Sequence, residues 1–173
     1  RADLGVRLLL EGDVSEAARI AAELDRLNSE RRVIEQMAEA QAEAEALASL
    51  GLEDKGAVIV TASEGWHPGV VGLVASRLKE KFARPAFAIA LEPGGIGTGS
   101  GRSISGVDLG KAVRQAVAGG LLMQGCGHAL AAGVTPRKDS LAGFSARLAR
   151  ARAARVRTSP PHTHASTPGA AAA

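Results

Sequence analysis

Gly97-Thr98-Gly99-Ser100-Gly101-Arg102-Ser103 places a glycine at every second position. Side chains of a strand alternate between its faces, so Gly97, Gly99 and Gly101 bare one face while Thr98, Ser100 and Arg102 crowd the other. Two hydroxyls and a guanidinium on one face suit the oxygens of a phosphate. The bare face is expected to let a ligand approach the backbone closely. A flexible glycine-rich turn after Pro93 is the alternative, and this segment alone leaves it open. Further on, Gly127-His128-Ala129-Leu130-Ala131-Ala132-Gly133 supplies a second small-residued stretch, this one carrying a histidine.

Working outward, the neighbouring segments alternate between strand and helix patterns. Ala57–Ala62 is a short β-branched run suited to a buried strand, and Gly65-Trp66-His67-Pro68-Gly69 turns the chain. Val70, Val71, Val74, Leu78 and Phe82 recur at helical spacing, with Gly72 and Ala75 permitting close packing. A second strand is expected over Ala86–Leu91, a third over Ile96–Ile104 and a fourth over His128–Thr135. Helices are expected over Val107–Ala118 and again from Asp139 or Ser140, with Leu141, Phe144 and Leu148 on one face. The pattern predicts an α/β fold, a small mixed β-sheet flanked by helices.

A long helix precedes this unit. An apolar helical fragment over residues 1–10 ends at Glu11-Gly12-Asp13, and Asp13 or Ser15 can cap the next helix. From there to Leu50 neither Gly nor Pro interrupts a run of strong helix formers. Ile20, Leu24, Leu27 and Ile34, then Val33, Met37, Ala40, Ala44 and Leu47, form its narrow apolar stripe. A connector lying against neighbouring domains is the expectation, with a coiled-coil dimer as the alternative, and Gly51 is the expected stop. Past Arg150 the chain turns basic and then Pro- and Ala-rich, and disorder is expected there. His162 and His164 in that tail lack further ligands for a metal.

Composition narrows the classes. The 173 residues carry a formal net charge of +3, a mild lean towards polyanionic partners. Aromatic residues make up 2%, with no tyrosine and one tryptophan, so stacking platforms for bases are scarce. A single cysteine, Cys126, excludes an internal disulfide framework and fits a reducing, cytoplasmic compartment. No apolar run is long enough for a membrane span, so no membrane partner is expected. The opening at Arg1, without a methionine, reads as the interior of a larger protein.

His128 beside Gly127 is a candidate donor to a phosphate oxygen, helped by Asp108 at a helix start nearby. His67 is the second candidate, in a turn whose exposed N–H groups suit an anion, although it equally suits capping or packing against Trp66. Cys126 adjoins the Gly-His pair but is poorly placed for activation by it. The carboxylates Asp54, Glu64, Glu80, Glu92, Asp108 and Asp139 are scattered singly, and no pair has metal-ligand spacing. No catalytic or metal-ligating residue is expected in this chain. Its chemistry is binding.

Three segments resemble, in order, the DHHA1 domain of RecJ-type single-strand-specific exonucleases: Glu64-Gly65-Trp66-His67-Pro68-Gly69-Val70-Val71-Gly72, Gly99-Ser100-Gly101-Arg102-Ser103 and the stretch from Gly127 to Gly133. Arg1-Ala2-Asp3-Leu4-Gly5 and the helix containing Asn28 are similar to the end of the preceding DHH domain and its connector. The resemblance implies a DHH remnant over 1–12, a connecting helix over 13–52, a DHHA1 domain over 55–150 and a tail over 151–173. It implies an enzyme that degrades single-stranded DNA 5′→3′ in repair and recombination, using Mn2+ or Mg2+ held by a DHH domain not in this chain. Carried over by position, Ser100, Gly101, Arg102 and Ser103 contact phosphate, Gly127 and His128 line the cleft, and His67 and Gly99 stand close by. Two departures are Cys126, where the family usually has glycine, and the tail, which stands where an oligonucleotide-binding domain is expected. The alternatives are a DHHA1 protein of the oligoribonuclease or nucleotide-phosphatase type, and a non-catalytic RNA-binding module such as that of alanyl-tRNA synthetases. The Gly65–Gly72 turn favours the RecJ type over both.

Overall fold

The computed structural model describes residues 2–50 and 57–156. Its elements are α1 (Ala2–Leu10), α2 (Val14–Leu50), β1 (Ile59–Ser63), α3 (Val71–Phe82), β2 (Ala86–Leu91), β3 (Gly97–Arg102), α4 (Leu109–Ala118), β4 (Leu122–Gly127), β5 (Ala131–Pro136) and α5 (Leu141–Val156). The expected stop at Gly51, the domain start at 55, His162, His164 and the tail beyond 156 lie outside the described residues. The strands form one mixed sheet in the order β1-β2-β3-β5-β4, with β1 parallel to β2 and every other pair antiparallel.

Each sheet face has its own core. On one, Ile59, Ala86, Ala88 and Ala90 lie under α3, which contributes Val71, Val74 and Leu78. On the other, Phe87 and Val134 lie under α4 and α5, which contribute Leu109, Val113, Phe144 and Leu148. Phe87 meets Phe144 edge-on, ring centroids 5.1 Å apart and planes at 77°, an arrangement that adds about 0.5–1.5 kcal/mol to the burial itself.

The glycine face of β3 belongs to this second core, which corrects the expectation that it stands open to a ligand. A Cβ on Gly101 would lie 2.4 Å from Phe87 Cε1, and one on Gly99 would lie 2.7 Å from Ile89 and 2.8 Å from Val134. The large side chains of β2 and β5 lean into the space that β3 leaves empty. Overpacking of this kind costs about 1–3 kcal/mol.

The fourth strand also differs. Leu122–Gly127 forms β4, unanticipated because its glycines and lack of β-branched residues read as a loop. His128 consequently lies in the β4–β5 connection, outside any strand. α5 runs to Val156, past the expected edge at 150, through alanines and arginines that favour helix.

Ile20 of the expected stripe of α2 is buried, but the second half of the helix docks by a different stripe. Ala38, Ala42 and Ala46 are buried against the α3 side, whereas Val33, Ile34, Met37 and Leu47 are exposed. Alanines at every fourth position let two backbones come close, and larger side chains would hold them apart. Polar bonds fix the seam: Trp66 Nε1 donates to Gln41 Oε1 at 2.9 Å, Gln41 Nε2 donates to Ser63 Oγ at 3.2 Å, and Lys81 pairs with Glu43 at 2.5 Å. Asp13 caps the helix start by accepting from Glu16 N at 2.8 Å.

Glu45 lies on the same seam and accepts the Ala62 N–H of edge strand β1, at 3.3 and 3.4 Å from its two oxygens. Loss of hydration against the strand raises its carboxyl above the usual glutamate range, outweighing the N–H bond that lowers it. A folded pKa above the unfolded one means that ionisation opposes folding. The cost is absent below the ordinary glutamate pKa and complete once pH passes the raised value. Glu45→Gln keeps the acceptor and drops the charge, so it is expected to raise Tm at neutral pH. The gain should vanish as pH falls through the glutamate range; a gain independent of pH in thermal melts would contradict a desolvated carboxylate.

Candidate nucleic-acid interface

The polar face of β3 turns towards α3, and Gly72 in the first turn of that helix makes room for it. A Cβ at position 72 would lie 3.1 Å from Arg102 Nη2 and 3.6 Å from Ser100 Oγ. Arg102 therefore lies close against the helix start. Its Nη1 donates to Ser100 Oγ at 2.7 Å and to Gly101 O at 2.9 Å. Among the described residues no acceptor engages Nε or Nη2, and Nη2 is the guanidinium nitrogen nearest the Gly72 turn.

Register lays out the surface beside it. Ala131 is opposite Arg102, Gly133 is opposite Ser100, and Cys126 of β4 is opposite Gly133. α3 packs over β2 and β3, while α4 packs on β4 and β5 from the other face. The strip beyond Arg102 is thus a shallow floor of a methyl group, a bare backbone and an exposed thiol.

His128 borders this floor. It is exposed, and its N–H donates to Ala131 O at 2.9 Å, which sets it next to the residue that faces Arg102. Its Nδ1 accepts from Leu130 N at 3.4 Å, so the neutral ring carries its proton on Nε2 as an available donor. His67, also exposed, has the same arrangement: Nδ1 accepts from Gly69 N at 2.9 Å just before α3. The turn histidine is therefore a local cap that still presents Nε2–H.

The start of α4 holds the Gly-His connection in place. Leu109 N donates to Ala129 O and Gly110 N to His128 O, both at 3.0 Å, while Asp108 accepts from Lys111 N at 2.9 Å. These leading N–H groups are occupied by protein. The expectation that Asp108 marks an anion-binding helix terminus is corrected accordingly. Gly110 and Gly127 permit the contact, since a Cβ on Gly110 would lie 2.8 Å from Gly127 O and one on Gly127 would lie 2.5 Å from Ala131 O. Gly110 escaped notice in the sequence. Its signal was a glycine in the first turn of a helix, where alanine is favoured by about 1 kcal/mol.

Of the expected site residues, Ser100, Arg102 and His128 come together around the floor, and His67 precedes the helix turn that packs on Arg102. Gly99, Gly101 and Gly127 act through packing. Ser103 is placed otherwise. It is 6% exposed, and its hydroxyl donates to Val107 O at 2.7 Å, so it fastens the β3–α4 connection.

A family model, the DHHA1 domain, matches residues 55–153. The chain is 38% identical over 150 residues to the single-stranded-DNA-specific exonuclease RecJ of Bacillus subtilis, covering 86% of this chain and 18% of that protein. It is 41% identical over 151 residues to the enzyme of the same name from Escherichia coli, covering 84% and 26%. The structure of RecJ from Thermus thermophilus in complex with Mg2+ superposes with a TM-score of 0.74 at 33% identity, covering 88% of this chain and 23% of that one. An exonuclease RecJ bound to manganese gives 0.74 at 33% identity, with 92% and 39% covered. The chain belongs to the DHHA1 domain family and, within it, to the RecJ type. It spans about a fifth to a quarter of the length of these curated relatives.

The solved relatives hold Mg2+ or Mn2+, but the described residues here do not fit such a site. No three of His, Cys, Asp or Glu gather among them, Asp108 is committed to its cap, and both exposed histidines have Nδ1 engaged. No helix among the described residues is long and apolar enough to cross a membrane.

Ser100 and Ser103 should separate cleanly in experiment. Ser103→Ala is expected to lower stability by about 1–2 kcal/mol, because Val107 O loses its buried donor. Ser100→Ala should leave stability within about 0.5 kcal/mol, being a half-exposed site. Urea unfolding of both variants is the measurement, and equal losses would contradict the division.

Proposed function

We propose that this chain is the strand-holding part of a RecJ-type 5′→3′ single-strand-specific exonuclease of DNA repair and recombination. The metal-dependent hydrolysis then belongs to a DHH domain elsewhere in the intact protein, with residues 1–12 its end, 13–52 the connector, 55–150 the binding domain and 151–173 a tail. The observation that carries this reading is the Arg102 guanidinium, fixed by Ser100 and Gly101 O against the Gly72 turn of α3, on the strand whose next neighbours across the sheet are Ala131, Gly133 and Cys126. A floor of such residues admits a sugar-phosphate backbone and offers little for reading a base.

Each group has its own part in the grip. Arg102 takes two phosphate oxygens, and the Ser100 hydroxyl both orients it and faces the same strip. His128 and His67, with Nδ1 engaged as acceptors, add Nε2–H donors. Trp66 is buried with its indole N–H on Gln41, so no tryptophan is free to stack on bases. Recognition by backbone alone gives tolerance of sequence, as a degradative enzyme requires.

Arg102→Ala is expected to weaken binding of single-stranded oligonucleotides by about 10–100-fold, the worth of a charge-assisted contact. The loss should be equal for homopolymeric and mixed sequences, and the slope of log affinity against log salt should fall by about 0.7. Fluorescence anisotropy across a salt series measures both, and loss confined to one base composition would show base readout instead. The chain by itself is expected to show no exonuclease turnover with Mn2+. Release of mononucleotides from a 5′-labelled single strand would overturn the division of labour.

A further inference from the structure

On the back of the sheet, away from Arg102, α4 and α5 lie side by side over one core. α4 carries Lys111 and Arg114 and α5 carries Arg147 and Arg150, all exposed, while the sequence of α5 adds Arg152 and Arg155. Neither helix contains an aspartate or glutamate. From Ser103 to Val156 the acidic residues are Asp108, which caps α4, and Asp139, which accepts from Ser140. Among the described residues Lys111, Arg114, Arg147 and Arg150 form no ion pair. α2 makes the contrast: Arg19, Arg26 and Arg31 each pair with a glutamate three or four residues away. Two neighbouring helices that repeat unpaired cations at i,i+3 form a surface of one sign, and its complement is a polyanion.

We propose that the outer face of α4 and α5 holds the backbone of duplex DNA. Single-strand sites combine a groove with aromatic platforms. This surface is the outside of two helices, and Phe87 and Phe144 beneath it are fully buried. What it offers is charge alone on an exposed surface, which suits a rigid double row of phosphates and releases their counterions on contact. It lies on the opposite side of the sheet from β3's polar face and stands independently of the reading given to that face.

The test is fluorescence anisotropy of the full chain with a blunt hairpin duplex of about 20 base pairs and, separately, with a short oligothymidylate. The parent chain should bind the duplex with a salt slope of about −3 to −4, as expected for four phosphate contacts. Arg114→Glu, Arg147→Glu and Arg150→Glu combined should lower duplex affinity by about tenfold or more, with oligothymidylate affinity changed less than about twofold. The corresponding triple change to Gln, with an unaltered thermal melt, should give a smaller loss in the same direction. Arg102→Ala should leave duplex affinity unchanged. Failure of the parent chain to bind the duplex at low salt would overturn the proposal, as would unchanged duplex binding by the triple variants. Equal loss of both DNAs in the triple variants, or loss of duplex binding in Arg102→Ala, would overturn it too.

Discussion

Steric interlock between β3 and its neighbours governs what the rest of the domain can do. Phe87, Ile89 and Val134 fill the space over Gly97, Gly99 and Gly101 so closely that no Cβ fits there. That commitment fixes which way β3 faces. With its glycines turned inward, Thr98, Ser100 and Arg102 have only the α3 side left, and Gly72 leaves the helix start thin enough to receive the guanidinium. A slip of one residue in β3 would put Arg102 into the Phe87 core and the glycines at the surface.

The second half of the site depends on the first through β5. Ala131 and Gly133 pair with Arg102 and Ser100 on one edge and lead to His128 and Cys126 on the other. The start of α4 closes this arrangement from behind, its N–H groups holding the carbonyls of His128 and Ala129. The histidine is thereby presented by backbone bonds on both sides of its own residue. Its imidazole needs no buried partner, and Nε2 stays available.

Local pattern made the strands over Ala86–Leu91 and around Gly97–Arg102 legible, because apolar runs and strict alternation are properties of a few adjacent residues. The polar identity of Ser100 and Arg102 was legible on the same grounds. What escaped was set by distant partners. The glycine stripe looked open because Phe87 and Val134, which fill it, are remote in sequence and their direction depends on pairing. Ser103, given to phosphate by the family resemblance, instead donates to Val107 O, an acceptor that exists only once the loop has folded. β4 was missed because Gln124-Gly125-Cys126-Gly127 has poor strand propensity and is held by pairing with β5. The seam of α2 was misassigned because hydrophobicity favours Met37 and Leu47, whereas close approach selects Ala38, Ala42 and Ala46.

That alanine seam has a mechanical side. α2 is 37 residues long, which makes it a rod of about 55 Å. It is gripped over Ala38–Ala46, and α1 packs near its far end through Arg7 and Glu16. The span between grip and far end is about 35 Å. A tilt of about 5° at the seam would swing α1 by about 3 Å, close to the difference between a phosphate contact made and one lost. Three methyl groups near Trp66 therefore act as a fulcrum, setting how far α1 stands from the polar face of β3.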